Sequence, residues 1–108
     1  MRVVRLKPYL RAMARMGLDD AAMRAIELDL AAAPEAHPVM KGLRGVRKAR
    51  FALPGRGKSG GGRVIYFVAV RSAIYMMTAY PKNEADDLSP KQRKAVLAAI
   101  ENLKKSES

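Results

Sequence analysis

Lysine and arginine side chains crowd the middle of this sequence. Arg44, Arg47, Lys48 and Arg50 lie along one stretch, Arg56, Lys58 and Arg63 lie in or just after the glycine-rich run at 53–63, and Lys82 comes after two apolar stretches. Guanidinium and ammonium groups gathered near one point suit one chemistry above others, the binding of a phosphate and the stabilisation of charge that builds on it during transfer. Other routes lack their parts. The chain has no cysteine, which excludes thiolate nucleophiles, thiolate metal ligands and disulfides. His37, the only histidine, sits between Ala36 and Pro38 with no neighbour to orient it as a general base. Glu84, Asp86 and Asp87 have neither helical nor EF-hand spacing, so they read as a turn and as favourable charge ahead of a helix rather than as a metal site. No metal and no cofactor is called for.

The glycine-rich run "LPGRGKSGGGR" contains Gly57-Lys58-Ser59, the tail of a nucleotide-binding phosphate loop. The full pattern needs a glycine at position 52, where the chain has Ala52. It also needs a helix afterwards, whose N-terminus faces the anion. The chain instead continues with "RVIYFVAV", the polar break Arg71-Ser72, and "AIYMMTAY", two β-rich segments joined by a tight turn. The run therefore reads as a mobile connection between strands, and its cations suit the phosphates of a polymer better than those of a bound nucleotide.

Length and charge narrow the partner. The 108 residues fit a single domain spanning 1–108. Lysine and arginine number 21 against 10 acids, a formal charge of +11 that favours nucleic acid. A membrane partner is not expected, since no apolar run approaches a spanning length. The opening "MRVVRLKPYLRAMARMG" has charges throughout and no continuous apolar segment, which makes the cytoplasm the expected compartment.

Local pattern defines the elements that must position these cations. "RVVRL" reads as a short edge strand. Pro8 opens a helix to about Met16, stopped by Gly17, and Asp19 or Asp20 caps a second through Leu30, with Ala22, Met23, Ile26 and Leu30 as its apolar stripe. The prolines of "AAAPEAHPVMKG" end this hairpin. In "GLRGVRKARFAL", Ala49, Phe51 and Leu53 alternate with Lys48, Arg50 and Ala52, the pattern of a strand with one apolar and one basic side. Arg63–Val70 and Ala73–Tyr80 give two more strands. Ser89-Pro90-Lys91-Gln92 forms a capping box for a last helix to about Lys104. The expected fold is α+β: a small antiparallel sheet of three to four strands, two N-terminal helices and one C-terminal helix. Such a sheet has one packed and one open face, and Lys48, Arg50 and Arg63 share the open one, with Lys82 at its end and Tyr80 offering a ring to stack on a base.

The segments "GLRGVRKARFALPGRGKSGGGRVIYF" and "AYPKNEADDLSPKQRKAV", about half the chain, resemble the RelE/HigB family of type II toxin–antitoxin toxins, particularly the HigB-like branch. The resemblance implies a RelE/ParE-like fold, ribosome-dependent endoribonuclease cleavage of mRNA, and neutralisation by a cognate antitoxin, commonly a helix-turn-helix protein encoded alongside. In that family the ribose 2′-hydroxyl attacks the adjacent phosphate, with basic side chains replacing the histidines of ordinary ribonucleases. By resemblance, Arg63 meets the scissile phosphate, Arg50 and Lys48 bind phosphate or activate the hydroxyl, and Lys82 lies in the segment after the last strand in which RelE carries another catalytic arginine. Arg47, Arg56, Lys58 and Tyr80 contact RNA. Asn83 stands at the place equivalent to that catalytic arginine, and RelE's C-terminal catalytic tyrosine has no counterpart here. Two alternatives accompany this reading: a ParE-like toxin that poisons DNA gyrase, and a nucleic-acid-binding domain without chemistry.

Overall fold

In the computed structural model the chain is described at all residues except 54–56, 70–72, 86 and 108, and the side chains at 57–60, 106 and 107 are also outside the description. The first strand, β1 (Arg2–Arg5), leads into α1 (Lys7–Arg15), which has proline in its first turn. Gly17 takes φ +77°, and its N–H and that of Leu18 bond to the carbonyls of Ala14 and Met13. This paired closure of a helix end needs the left-handed backbone that glycine adopts without strain. The Asp19 side chain accepts from the Ala22 N–H and starts α2 (Asp20–Ala32). Then come β2 (Arg47–Leu53), β3 (Gly57–Ala69), β4 (Ala73–Pro81) and α3 (Pro90–Glu107). The capping box forms in both directions, Ser89 N–H to Gln92 at 2.8 Å and Gln92 N–H to Ser89 Oγ at 3.1 Å.

The sheet runs β1-β4-β3-β2. Strands β2, β3 and β4 form the expected antiparallel meander, but β1 pairs parallel with β4, Arg2 opposite Ala73 through Arg5 opposite Met76. The sheet is therefore mixed. A parallel neighbour requires a crossover, and here the connection contains the whole α1–α2 hairpin together with β2 and β3.

Both faces carry cover. On one, α1 and α2 close over Ala49, Phe51, Val64, Tyr66, Ile74 and Met76, with Tyr9 and Met13 fully buried. On the other, Val96 and Ile100 of α3 pack with Leu43, Val46, Ile65, Tyr75 and Met77. The expectation of a wholly open face is corrected by α3 and the 40–46 segment, whose apolar side chains seek the same burial. The β2 end of that second face remains accessible, where Arg50 and Ala52 are exposed.

The glycine run is also not a loop throughout. β3 begins at Gly57, and Gly62 pairs with Phe51 on one side and Pro81 on the other. A Cβ built on Gly62 would lie 2.3 Å from the Phe51 ring, so glycine is required there because an aromatic ring rests on its backbone. Gly62→Ala is expected to lower folding stability by about 1–3 kcal/mol, the usual range for overpacking a closed site. An unchanged denaturation midpoint would show that the ring moves aside freely.

Candidate functional site

The register of the meander assembles the site. Arg50 is directly opposite Arg63 across β2 and β3, and Arg63 is directly opposite Tyr80 across β3 and β4. The next pair on the same face is Lys48 with Ile65. Lys82 lies two residues beyond Tyr80, its N–H bonded to the Gly61 carbonyl at 2.9 Å, which carries the ladder past the end of the strand. Strands β2 and β3 thus bring Lys48, Arg50 and Arg63 to one side of the sheet, with Lys82, just past β4, at one end, as the alternation in the sequence predicts.

Their environments differ from expectation in two places. Arg63 is not an exposed cation: it is only 6% accessible, and its Nη1 donates to the Gly62 carbonyl at 3.0 Å. Tyr80 is 4% accessible and belongs to the α3-side core, so it cannot offer an exposed ring to a base; it stands beside Arg63 on the neighbouring strand. Tyr80 is buried by the packing of α3 and Leu88 over this part of the sheet. Arg50 is exposed and Lys48 half-buried.

Electrostatically the row is unfavourable as it stands. Like charges directly opposite on neighbouring strands repel, and a buried cation without a counter-charge is costly. Among the described residues neither Arg50 nor Arg63 makes an ion pair; the pairs lie at Arg5, Arg24, Arg44 and Arg93. An anion placed against the row would relieve both penalties, and a phosphate matches the fork of a guanidinium.

The remaining nominated residues separate from this row. Arg47 is on the other face, opposite Tyr66, and its Nη1 donates to the carbonyls of Glu35 at 3.1 Å and His37 at 2.6 Å. It pins the segment after α2, together with the Tyr66 hydroxyl donating to the Pro34 carbonyl at 2.7 Å and the edge-to-face contact of His37 on Tyr66. The cause is local: the chain between α2 and β2 leaves carbonyls without helix or strand partners, and Arg47 is the cation within reach. Arg56 and the side chain of Lys58 lie outside the described residues. Asp87 accepts from the Leu88 N–H and faces Arg93 at 3.8 Å. Sequence reasoning did not single out Arg93, whose Nη2 donates to the Lys41 carbonyl at 2.5 Å and ties α3 to the segment before β2. Its position in the capping turn just after Gln92 is a signal only that it faces a helix start.

A four-stranded sheet between a helical hairpin and a closing helix, with two arginines opposed across neighbouring strands and no counter-charge among the described residues, defines a class of small cationic α+β domain. Comparison with known proteins agrees on the fold: the chain is similar to the structure of the E. coli toxin RelE, an arginine-to-alanine double mutant in the free state, with a TM-score of 0.57 at 13% identity over 92% of this chain and 96% of that one. The family model described as the RelE toxin of the RelE/RelB toxin–antitoxin system matches residues 1–108, and the chain belongs to that family. It is a toxin of a toxin–antitoxin pair, and an antitoxin is its partner. No helix among the described residues is long and apolar enough to cross a membrane.

Proposed function

We propose that this single-domain toxin is a ribosome-dependent endoribonuclease acting in the cytoplasm on mRNA. The observation that carries the reading is the Arg50–Arg63 pair, opposed across β2 and β3 without an ion pair among the described residues. In the reaction the ribose 2′-oxygen forms a bond to the adjacent phosphorus as the bond to the 5′-oxygen breaks. The products are a 2′,3′-cyclic phosphate and a 5′-hydroxyl; the proton leaves the 2′-hydroxyl and one is delivered to the departing 5′-oxygen. Charge grows on the phosphoryl oxygens at the midpoint, and Arg63, held by the packing around it, offers a donor to that charge through the 6% of its surface that stays accessible. Arg50, exposed on the neighbouring strand, supplies the second cation. Lys48 and Lys82 flank the row and hold the backbone on either side. Arg56 and Lys58 add affinity rather than chemistry.

The test is expression of the chain alone, with and without its antitoxin, and then mapping of transcript 5′ ends. Growth arrest with new 5′ ends inside translated messages, reversed by the antitoxin, is the expected result. Arrest with DNA damage and intact transcripts would identify a gyrase poison instead, and arrest with neither would leave only binding.

A further inference from the structure

Beside the Arg50–Arg63 row, on the side of the sheet that α3 covers, an open cleft of about 550 Å³ lies between β2, the 38–41 segment and the start of α3. Lys48, Lys41, Arg93, Asp87 and Val39 line it. Lys48 is two residues from Arg50 on one strand, so the cleft opens about 7 Å from the row. Its walls are tied together by backbone and side chain alike. The Lys48 N–H bonds to the Pro38 carbonyl at 3.1 Å, and Arg93 bonds to the Lys41 carbonyl at 2.5 Å.

The composition of the cleft is more specific than a phosphate patch. Among the described residues the ammonium groups of Lys41 and Lys48 have no ion pair, while Asp87 places a carboxylate among the cations. An acid there weakens attraction for plain phosphate. What it adds is an acceptor. Asp87 Oδ1 takes the Leu88 N–H at 2.7 Å, whereas Oδ2 is 3.8 Å from Arg93, beyond hydrogen-bond reach. Carboxylates in nucleic-acid interfaces accept from exocyclic amino groups of bases. Val39, 52% accessible, offers apolar surface to a base face.

Resting on the endoribonuclease reading, we propose that this cleft is the subsite for the nucleotide next to the cleaved bond. Lys41 and Lys48 take its phosphate and Asp87 reads its base. Cytosine, adenine and guanine carry an exocyclic amino group and uracil does not, so the subsite discriminates against uracil.

Ribosomes programmed with messages randomised around the cleavage point give kcat/KM for each sequence. Wild-type chain is expected to disfavour uracil at one flanking position, and Asp87→Asn to shrink that discrimination by about tenfold, since an amide can also donate to a uracil carbonyl. Lys41→Ala is expected to lower kcat/KM about fivefold for every sequence alike, with a shallower salt dependence. Preference and salt dependence unmoved by both substitutions, with cleavage intact, would overturn the subsite and leave the nuclease standing. A second measurement is independent of turnover: RNA trinucleotides titrated into the Arg63→Met chain are expected to shift the amide resonances of Val39, Lys41 and Asp87. Shifts there in a chain whose wild type never cleaves would keep the cleft and overturn the nuclease. Shifts confined to other surfaces, or none, would overturn the cleft.

Discussion

Arg63→Met is expected to slow transcript cleavage by roughly a hundredfold to a thousandfold at saturating ribosome, the usual worth of one preorganised donor group, in a chain that still folds and binds its antitoxin. Methionine is the informative replacement because Arg63 is buried. Alanine would remove the aliphatic stem along with the charge and confuse loss of packing with loss of chemistry. Methionine keeps a stem of similar length and removes only the fork. Its effect on stability is expected to be small: deleting one of two opposed cations relieves repulsion between β2 and β3, while the bond to the Gly62 carbonyl is lost. Lysine at the same place restores the charge without the two parallel donors and should recover only part of the rate. Single-turnover cleavage on programmed ribosomes, with melting of each variant as control, gives the answer. Full activity in well-folded Arg63→Met would take this residue out of the mechanism.

Much of this arrangement is legible in the amino-acid sequence. Gly17, the Asp19 cap and the Ser89–Gln92 box speak for themselves because helix ends are local events, settled within a few residues. Alternation in β2 and β3 places Lys48, Arg50 and Arg63 on one side for the same reason. The features that stay hidden depend on partners distant in sequence. Nothing in "RVVRL" says that it runs parallel to β4, and nothing in the narrow stripe of α3 says which sheet face it will cover. That second choice is what buries Tyr80. Gly62 misleads because flexibility and close approach call for the same residue, and only the Phe51 ring tells them apart. Arg47 is drawn away by carbonyls of the segment after α2, a demand no periodicity reveals. One buried charge does carry a signal. Glu27 is four residues after Met23 and three before Leu30, inside the apolar stripe of α2, where a carboxylate has no reason to be unless a partner waits for it.

That partner set carries the second large effect. Glu27 is 5% accessible and accepts from Arg5 Nε at 2.8 Å, Arg5 Nη2 at 2.9 Å and the Tyr9 hydroxyl at 2.8 Å, joining β1, α1 and α2 in one knot; Arg5 also reaches Asp20 at 2.6 Å. Glu27→Gln leaves Arg5 without its buried counter-charge and is expected to cost about 3 kcal/mol, at the lower edge of the range for breaking a buried pair because Asp20 remains. For a domain of this size the melting temperature should fall by on the order of 15 °C. The knot also gives the fold an alkaline limit. Burial, then the hydrogen bond to Glu27, pushes the Tyr9 phenol well above its ordinary value, while in the unfolded chain it ionises near pH 10. A raised folded value means that the stabilisation is complete below pH of about 10 and is lost as pH rises beyond it, at up to about 1.4 kcal/mol per unit. Tyr66, raised chiefly by its own burial, adds a second, independent slope. Melting temperatures measured from pH 8 to 11 should therefore fall less steeply for Tyr9→Phe than for the wild type, with a residual slope from Tyr66. The two proteins differ in one phenol, so the difference between their slopes isolates it. Equal slopes would mean that the knot opens to solvent before Tyr9 ionises, and that β1 and α1 are held by packing alone.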